Sequence, residues 1–150
     1  MVGSGTVVRR PAGVAKLDFE AELAVVIGRS VCRVERAAAL DHVAGYTILD
    51  DVSAREFQFD VTPAQTSFAK SMDGFAPMGP CLVTADEIPN RNGCGCGWRR
   101  GSTASRCRKR QPPTCWLQPG DHIDMSIEGI ERLEHRIGDD AEGLPSTATA

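Results

Sequence analysis

Polar and apolar residues alternate from Leu17 to Leu23, and the chain is then apolar through Ile27. That pattern predicts a strand over residues 17–27. Glu20 and Glu22 share its polar face, and Phe19, Ala21 and Leu23 the other, before the strand enters the core. Gly28-Arg29-Ser30 turns the chain. Apolar or small residues at Val34, Ala37, Ala38 and Leu40 suit a short amphipathic helix over residues 34–43, ended by Gly45. Residues 46–52 read as a second strand that closes on Asp50 and Asp51. Residues 53–59 suit a helical turn, with Ser53 as N-cap and Glu56 at the third position of a capping box. Residues 68–80, rich in Gly, Pro, Met and Ser, read as a loop, and residues 81–84 as a strand. After a turn at 117–121, residues 122–128 and 130–136 form a hairpin with its corner at Gly129. The fold class is mainly β with short helices, of α+β type.

Glu20 and Glu22 change this picture. Side chains two apart on a strand point the same way, with Cα atoms ~6.6 Å apart. Two half-buried carboxylates side by side are unfavourable unless a cation lies between them. The pair therefore predicts a divalent-metal site, with Asp51 the simplest third ligand. An all-oxygen set favours Mg²⁺, Mn²⁺ or Ca²⁺ over zinc. Spacing alone leaves open a solvent-facing Glu-x-Glu on an edge strand.

At 150 residues, 41% hydrophobic and 25% charged, the chain supports one globular core. It has no apolar run near the ~20 residues of a membrane span and no signal-peptide core, so a cytoplasmic location without a membrane partner is expected. The net charge of −3 conceals an asymmetry: residues 91–115 hold seven of the 17 basic residues and no acid. They also hold Cys94, Cys96, Cys107 and Cys115, and show no period of strand or helix. The cysteines lack the paired Cys-x₂-Cys knuckles of a zinc site, and a cytoplasmic setting disfavours disulfides. Basic residues around Trp98 would suit a nucleic-acid arm, but without a recognised motif a solvated insert is the better reading, and no nucleic-acid partner is expected. Cys32 and Cys81 lie among apolar residues and are expected to be buried.

Several motifs together point to a family. Leu17 to Gly28, Gly45-Tyr46-Thr47-Ile48-Leu49-Asp50-Asp51-Val52-Ser53-Ala54-Arg55, Lys70-Ser71-Met72-Asp73-Gly74 through Pro80, and Leu117-Gln118-Pro119-Gly120-Asp121 through Ile130 closely resemble the fumarylacetoacetate hydrolase family, in the right order. The resemblance implies a mixed β-sandwich or roll, usually dimeric, that acts on acylpyruvates and related 2-oxo acids. Glu20, Glu22 and Asp51 match the family's metal carboxylates, Lys70 its active-site lysine, and Gln58 its substrate-contacting glutamine. Arg55 falls in the same stretch, either as a substrate contact or as an ion-pair partner of Asp50 or Glu56. A divalent ion, Mg²⁺ first and Mn²⁺ or Ca²⁺ as alternatives, would act as a Lewis acid on the developing enolate, aided by the Lys70 charge.

The same resemblance organises the chain. Residues 1–16 form an N-terminal remnant, residues 17–137 one catalytic domain interrupted by 91–115, and residues 138–150 a disordered tail. The family's lid carries a water-activating His–Glu pair, and residues 1–16 contain neither residue type. His42, His122 and His135 are expected at the surface. The Thr-Gly-Thr-Pro loop and central strands of the family are replaced by 91–115, so the sandwich is expected to be incomplete. The functional expectation is metal-dependent hydrolysis, isomerisation or decarboxylation of a 2-oxo acid. The alternative is an impaired remnant that binds metal or associates with intact homologues.

Overall fold

The computed structural model describes residues 1–88, 99–100 and 116–140. Nine strands are the main regular elements among these residues: β1 Val7–Arg10, β2 Leu17–Asp18, β3 Ala21–Ile27, β4 Val43–Asp50, β5 Ser53–Ala54, β6 Met78–Thr84, β7 Arg99–Arg100, β8 His122–Ile127 and β9 Ile130–Asp139. They form a mixed sheet β1-β9-β8-β7, an antiparallel sheet β3-β4-β6 and a short pair β2-β5. Only β1 and β9 run parallel within these sheets. The fold class is thus mainly β with short helices, as the sequence pattern predicts, and one sheet is mixed, as the family resemblance implies.

The two larger sheets enclose the core. Ile123, Met125 and Ile127 of β8 and Leu133 and Ile137 of β9 are buried together with Ile48, Val8, Leu17 and Val52. Alternation explains the hairpin: every second residue of β8 faces the interior, while His122, Asp124 and Ser126 do not. The N-terminal segment ties the sheets to one another. Met78 N–H donates to the Val2 carbonyl (2.8 Å), and Gly5 N–H donates to the Glu134 carbonyl (2.7 Å).

Several local expectations are corrected. The strand predicted over 17–27 is broken after Asp18, because β2 pairs with β5 whereas β3 pairs with β4. Gly45 does not end a helix; it lies inside β4, where a Cβ would stand 2.2 Å from the Val83 carbonyl oxygen. Only glycine lets β6 approach so closely. The helix before it is a 3₁₀ turn, Arg36–His42, with no capping side chain and no buried residue, so nothing favours a longer α-helix. Ser53 is a strand residue rather than an N-cap, and Glu56 Oε1 instead accepts the Ala15 (2.6 Å) and Lys16 (3.2 Å) N–H groups. A π-helical turn, Glu56–Asp60, follows.

Overlapping the start of the stretch read as a loop, a five-residue helix α1, Thr66–Lys70, is held by burial of Ala69 and by an edge-on Phe57–Phe68 contact at 5.1 Å. Strand β9 runs on to Asp139 because residues 136–139 pair with β1, which the sequence pattern did not reveal. Cys32 and Cys81 are exposed, not buried; Cys81 lies in β6, an edge of its sheet. Of the basic segment, only the backbone of β7 is described, paired with Met125 and Ser126. The expectations for Cys94, Cys96, Trp98, Cys107, Cys115 and residues 141–150 lie outside the described residues.

Gly45→Ala is expected to cost roughly 1–3 kcal/mol, because β4 and β6 must separate to admit the methyl group. Equilibrium urea unfolding checks this, and an unchanged midpoint would contradict the close approach.

Candidate metal centre

Three short segments build the site. Glu20 sits in the break between β2 and β3, Glu22 is the second residue of β3, and Asp51 follows the last residue of β4. One carboxylate oxygen from each lies within 4.8 Å of the other two. The convergence does not come from one strand face, as the alternation suggested. The backbone of Glu20 is clamped against the end of β4 instead. Asp51 N–H donates to the Glu20 carbonyl (2.9 Å), and Glu20 N–H donates to Asp50 Oδ1 (3.0 Å). Both backbone groups left over at the strand break are thereby satisfied.

Two cations hold the carboxylates. Lys70, the last residue of α1, donates from Nζ to Glu20 Oε2 (2.8 Å), to Asp51 Oδ2 and to Ser53 Oγ (3.0 Å). Arg55 bridges Glu20 Oε1 (2.6 Å) and Asp18 Oδ2 (2.9 Å) through Nη2, and its Nη1 donates to Gln58 Oε1 (2.8 Å). The guanidinium therefore pairs with Asp18 and Glu20, not with Asp50 or Glu56, and fixes Gln58 beside the cluster. The structure thus gathers all six residues singled out in the sequence: Glu20, Glu22, Asp51, Arg55, Gln58 and Lys70.

The electrostatics separate the two glutamates. Burial disfavours the charged form of Glu20, yet hydrogen bonds from Lys70 and Arg55 outweigh it and hold the carboxyl below its ordinary range. Among the described residues Glu22 has no such donor; burial first, and then the charges of Asp51 and Glu20, push its carboxyl up. For Lys70, burial is overcome by its bonds to Asp51 and Glu20, and its ammonium is held more firmly than usual.

Asp50 and His135 were not singled out from the sequence as site residues. His135, expected at the surface, is buried, and its Nε2 lies 2.7 Å from Asp50 Oδ2. The signal was present: His135 is in phase with Leu133 and Ile137 on β9, and Asp50 is in phase with Ile48 on β4. Burial first pushes the Asp50 carboxyl up, and the bond to His135 opposes it. His122, in contrast, is exposed.

With this geometry in place, comparison with known proteins assigns the family. Residues 1–105 match the family model described as fumarylacetoacetate (FAA) hydrolase, C-terminal, and the chain belongs to that family. It is 41% identical over 95 residues to the mitochondrial oxaloacetate tautomerase of Xenopus laevis, a match covering 63% of this chain and 30% of the relative. The chain thus spans less than a third of that curated relative. Among solved structures, it resembles a fumarylacetoacetate hydrolase from the psychrophilic Exiguobacterium antarcticum, with TM-score 0.75 and 30% identity over 91% of this chain and 62% of that one. It also resembles a 2-hydroxyhepta-2,4-diene-1,7-dioate isomerase from Mycobacterium marinum, with TM-score 0.76 and 28% identity over 93% of this chain and 66% of that one. The family therefore includes hydrolases and isomerases. No helix among the described residues is long and apolar enough to cross a membrane.

Titrating the metal-free protein by carboxyl NMR should place the Glu22 midpoint above that of an unstructured glutamate and the Glu20 midpoint below it. Glu20 then contributes stability that is present at neutral pH and lost on acidification. Ionised Glu22 has the opposite sign, since its ionisation costs stability as pH rises. A reversed order of the two midpoints would contradict the arrangement.

Proposed function

We propose that the cluster binds one divalent cation and uses it on a 2-oxo acid of the acylpyruvate type. One observation carries this reading. Asp18, Glu20 and Asp51 are paired with two cations (Arg55 and Lys70), and Glu22 stands beside Glu20 and Asp51 without one, so the four carboxylates leave an excess of two negative charges. A divalent ion matches that excess, and the oxygen-only donors suit Mg²⁺, Mn²⁺ or Ca²⁺. Glu20, Glu22 and Asp51 would hold it. When bound, such an ion polarises the 2-oxo and carboxylate oxygens of a chelating substrate and lowers the cost of an enolate.

The remaining roles fall to the chain's own residues. Lys70 presents an ammonium whose charge is secured by its carboxylate neighbours, suited to stabilising negative charge on the substrate. Arg55 keeps Glu20 turned toward the cluster and holds the Gln58 carbonyl oxygen, which leaves the Gln58 amide N–H groups to meet a substrate oxygen. Enolate stabilisation serves both hydrolysis of a C–C bond beside the 2-oxo group and isomerisation, and relatives are named as hydrolases and isomerases. A homodimer belongs to the same reading. Its support is the edge strand β3, which leaves Val25 and Ile27 about half exposed.

Calorimetric titration of Mg²⁺ and then oxalate into the wild type and Glu20→Gln tests the site. The wild type should bind both, with affinity for Mg²⁺ on the order of 10–100-fold above that of the variant. Identical behaviour of the two proteins would overturn the assignment. In a Mn²⁺-supported acylpyruvate assay, Lys70→Met is expected to lower kcat on the order of 10²–10³-fold with metal affinity retained. Unchanged turnover would remove Lys70 from the chemistry.

A further inference from the structure

Asp50 and His135 are titratable side chains with no accessible surface, set against a core of largely apolar residues. A buried carboxylate is costly unless each of its oxygens is bonded. Here each is: Oδ2 meets His135 Nε2 at 2.7 Å, and Oδ1 accepts the Glu20 N–H at 3.0 Å. The second bond fixes the backbone of a residue that belongs to no strand. Asp51 N–H closes the clamp on the Glu20 carbonyl, and Asp50 N–H is itself held by the Pro77 carbonyl (2.9 Å). The orientation of one buried carboxylate thus sets where both Glu20 and Asp51 stand.

We propose that His135 is a positioning residue for the metal centre: through Asp50 it fixes the backbone of Glu20, and so links the β8–β9 hairpin to the carboxylate cluster. The inference rests on the metal-binding reading above. The hairpin belongs to a different sheet from β3 and β4, and at this position a leucine would continue the apolar row of Leu133 and Ile137. His135 Nδ1 is buried and has no hydrogen-bond partner among the described residues. The imidazole thus makes its one polar contact with Asp50, and the cost of burying its other nitrogen is accepted for that contact.

The test compares wild type with three variants on Mn²⁺ affinity, measured by calorimetry, and on the EPR spectrum of bound Mn²⁺. His135→Gln carries an amide N–H near the place of Nε2. His135→Asn is also an amide but stops short of Asp50, and His135→Phe fills the volume without a donor. Asn and Phe should weaken Mn²⁺ on the order of 10–100-fold and broaden the spectrum, while Gln stays within a fewfold of wild type. If Phe fails to fold, the Gln and Asn pair decides alone. Equal affinities in all four proteins, or equal losses in Gln and Asn, would overturn the inference. Failure of the wild type to bind Mn²⁺ would instead overturn the metal reading beneath it.

Discussion

The structure turns on like charges forced together. Carboxylate oxygens of Glu20, Glu22 and Asp51 lie within 4.8 Å of one another, where two unit charges repel by about 1 kcal/mol in water and about 3 kcal/mol at an effective dielectric near 20. Such a cluster persists only because other parts of the fold hold it. Lys70 and Arg55 supply charge from α1 and from the turn after β5, and the end of β4 supplies the geometry. The sheets, the five-residue helix and the strand break can all be understood as the means of keeping those groups in place.

The clamp on Glu20 shows how topology reaches the chemistry. A continuous strand over 17–27 would satisfy the Glu20 backbone through an ordinary ladder. The change of partner between β2 and β3 leaves its N–H and C=O to the Asp50-Asp51 pair instead. Asp50 is in turn bonded to a residue 85 positions later in the chain. A residue of the terminal hairpin therefore bears on the site, although the hairpin contributes no candidate ligand to it.

Much of this was legible in the sequence for a simple reason: the site residues are close together along the chain. Glu20 and Glu22 are two apart, and Asp51, Arg55 and Gln58 lie within eight positions, so period and motif suffice to find them. The β8–β9 hairpin was legible because its alternation is clean. What was not legible depends on partners distant in sequence. The break at Phe19 follows from pairing with β5 and β4, the extension of β9 from pairing with β1, and the partner of the in-phase His135 is a carboxylate on another sheet. Cys81 shows the converse error, since apolar neighbours in sequence do not bury a residue on an edge strand. Gly45 reads as a helix terminator until β6 is seen to lie against it.

Family membership, a mixed-sheet fold and six gathered polar side chains converge on one claim, that the carboxylate cluster is a divalent-metal site. Anomalous diffraction from crystals soaked in Mn²⁺ addresses it most directly. The account predicts one strong anomalous peak between the carboxylates of Glu20, Glu22 and Asp51. A peak elsewhere, or none there with Lys70 still bridging Glu20 and Asp51, would contradict it.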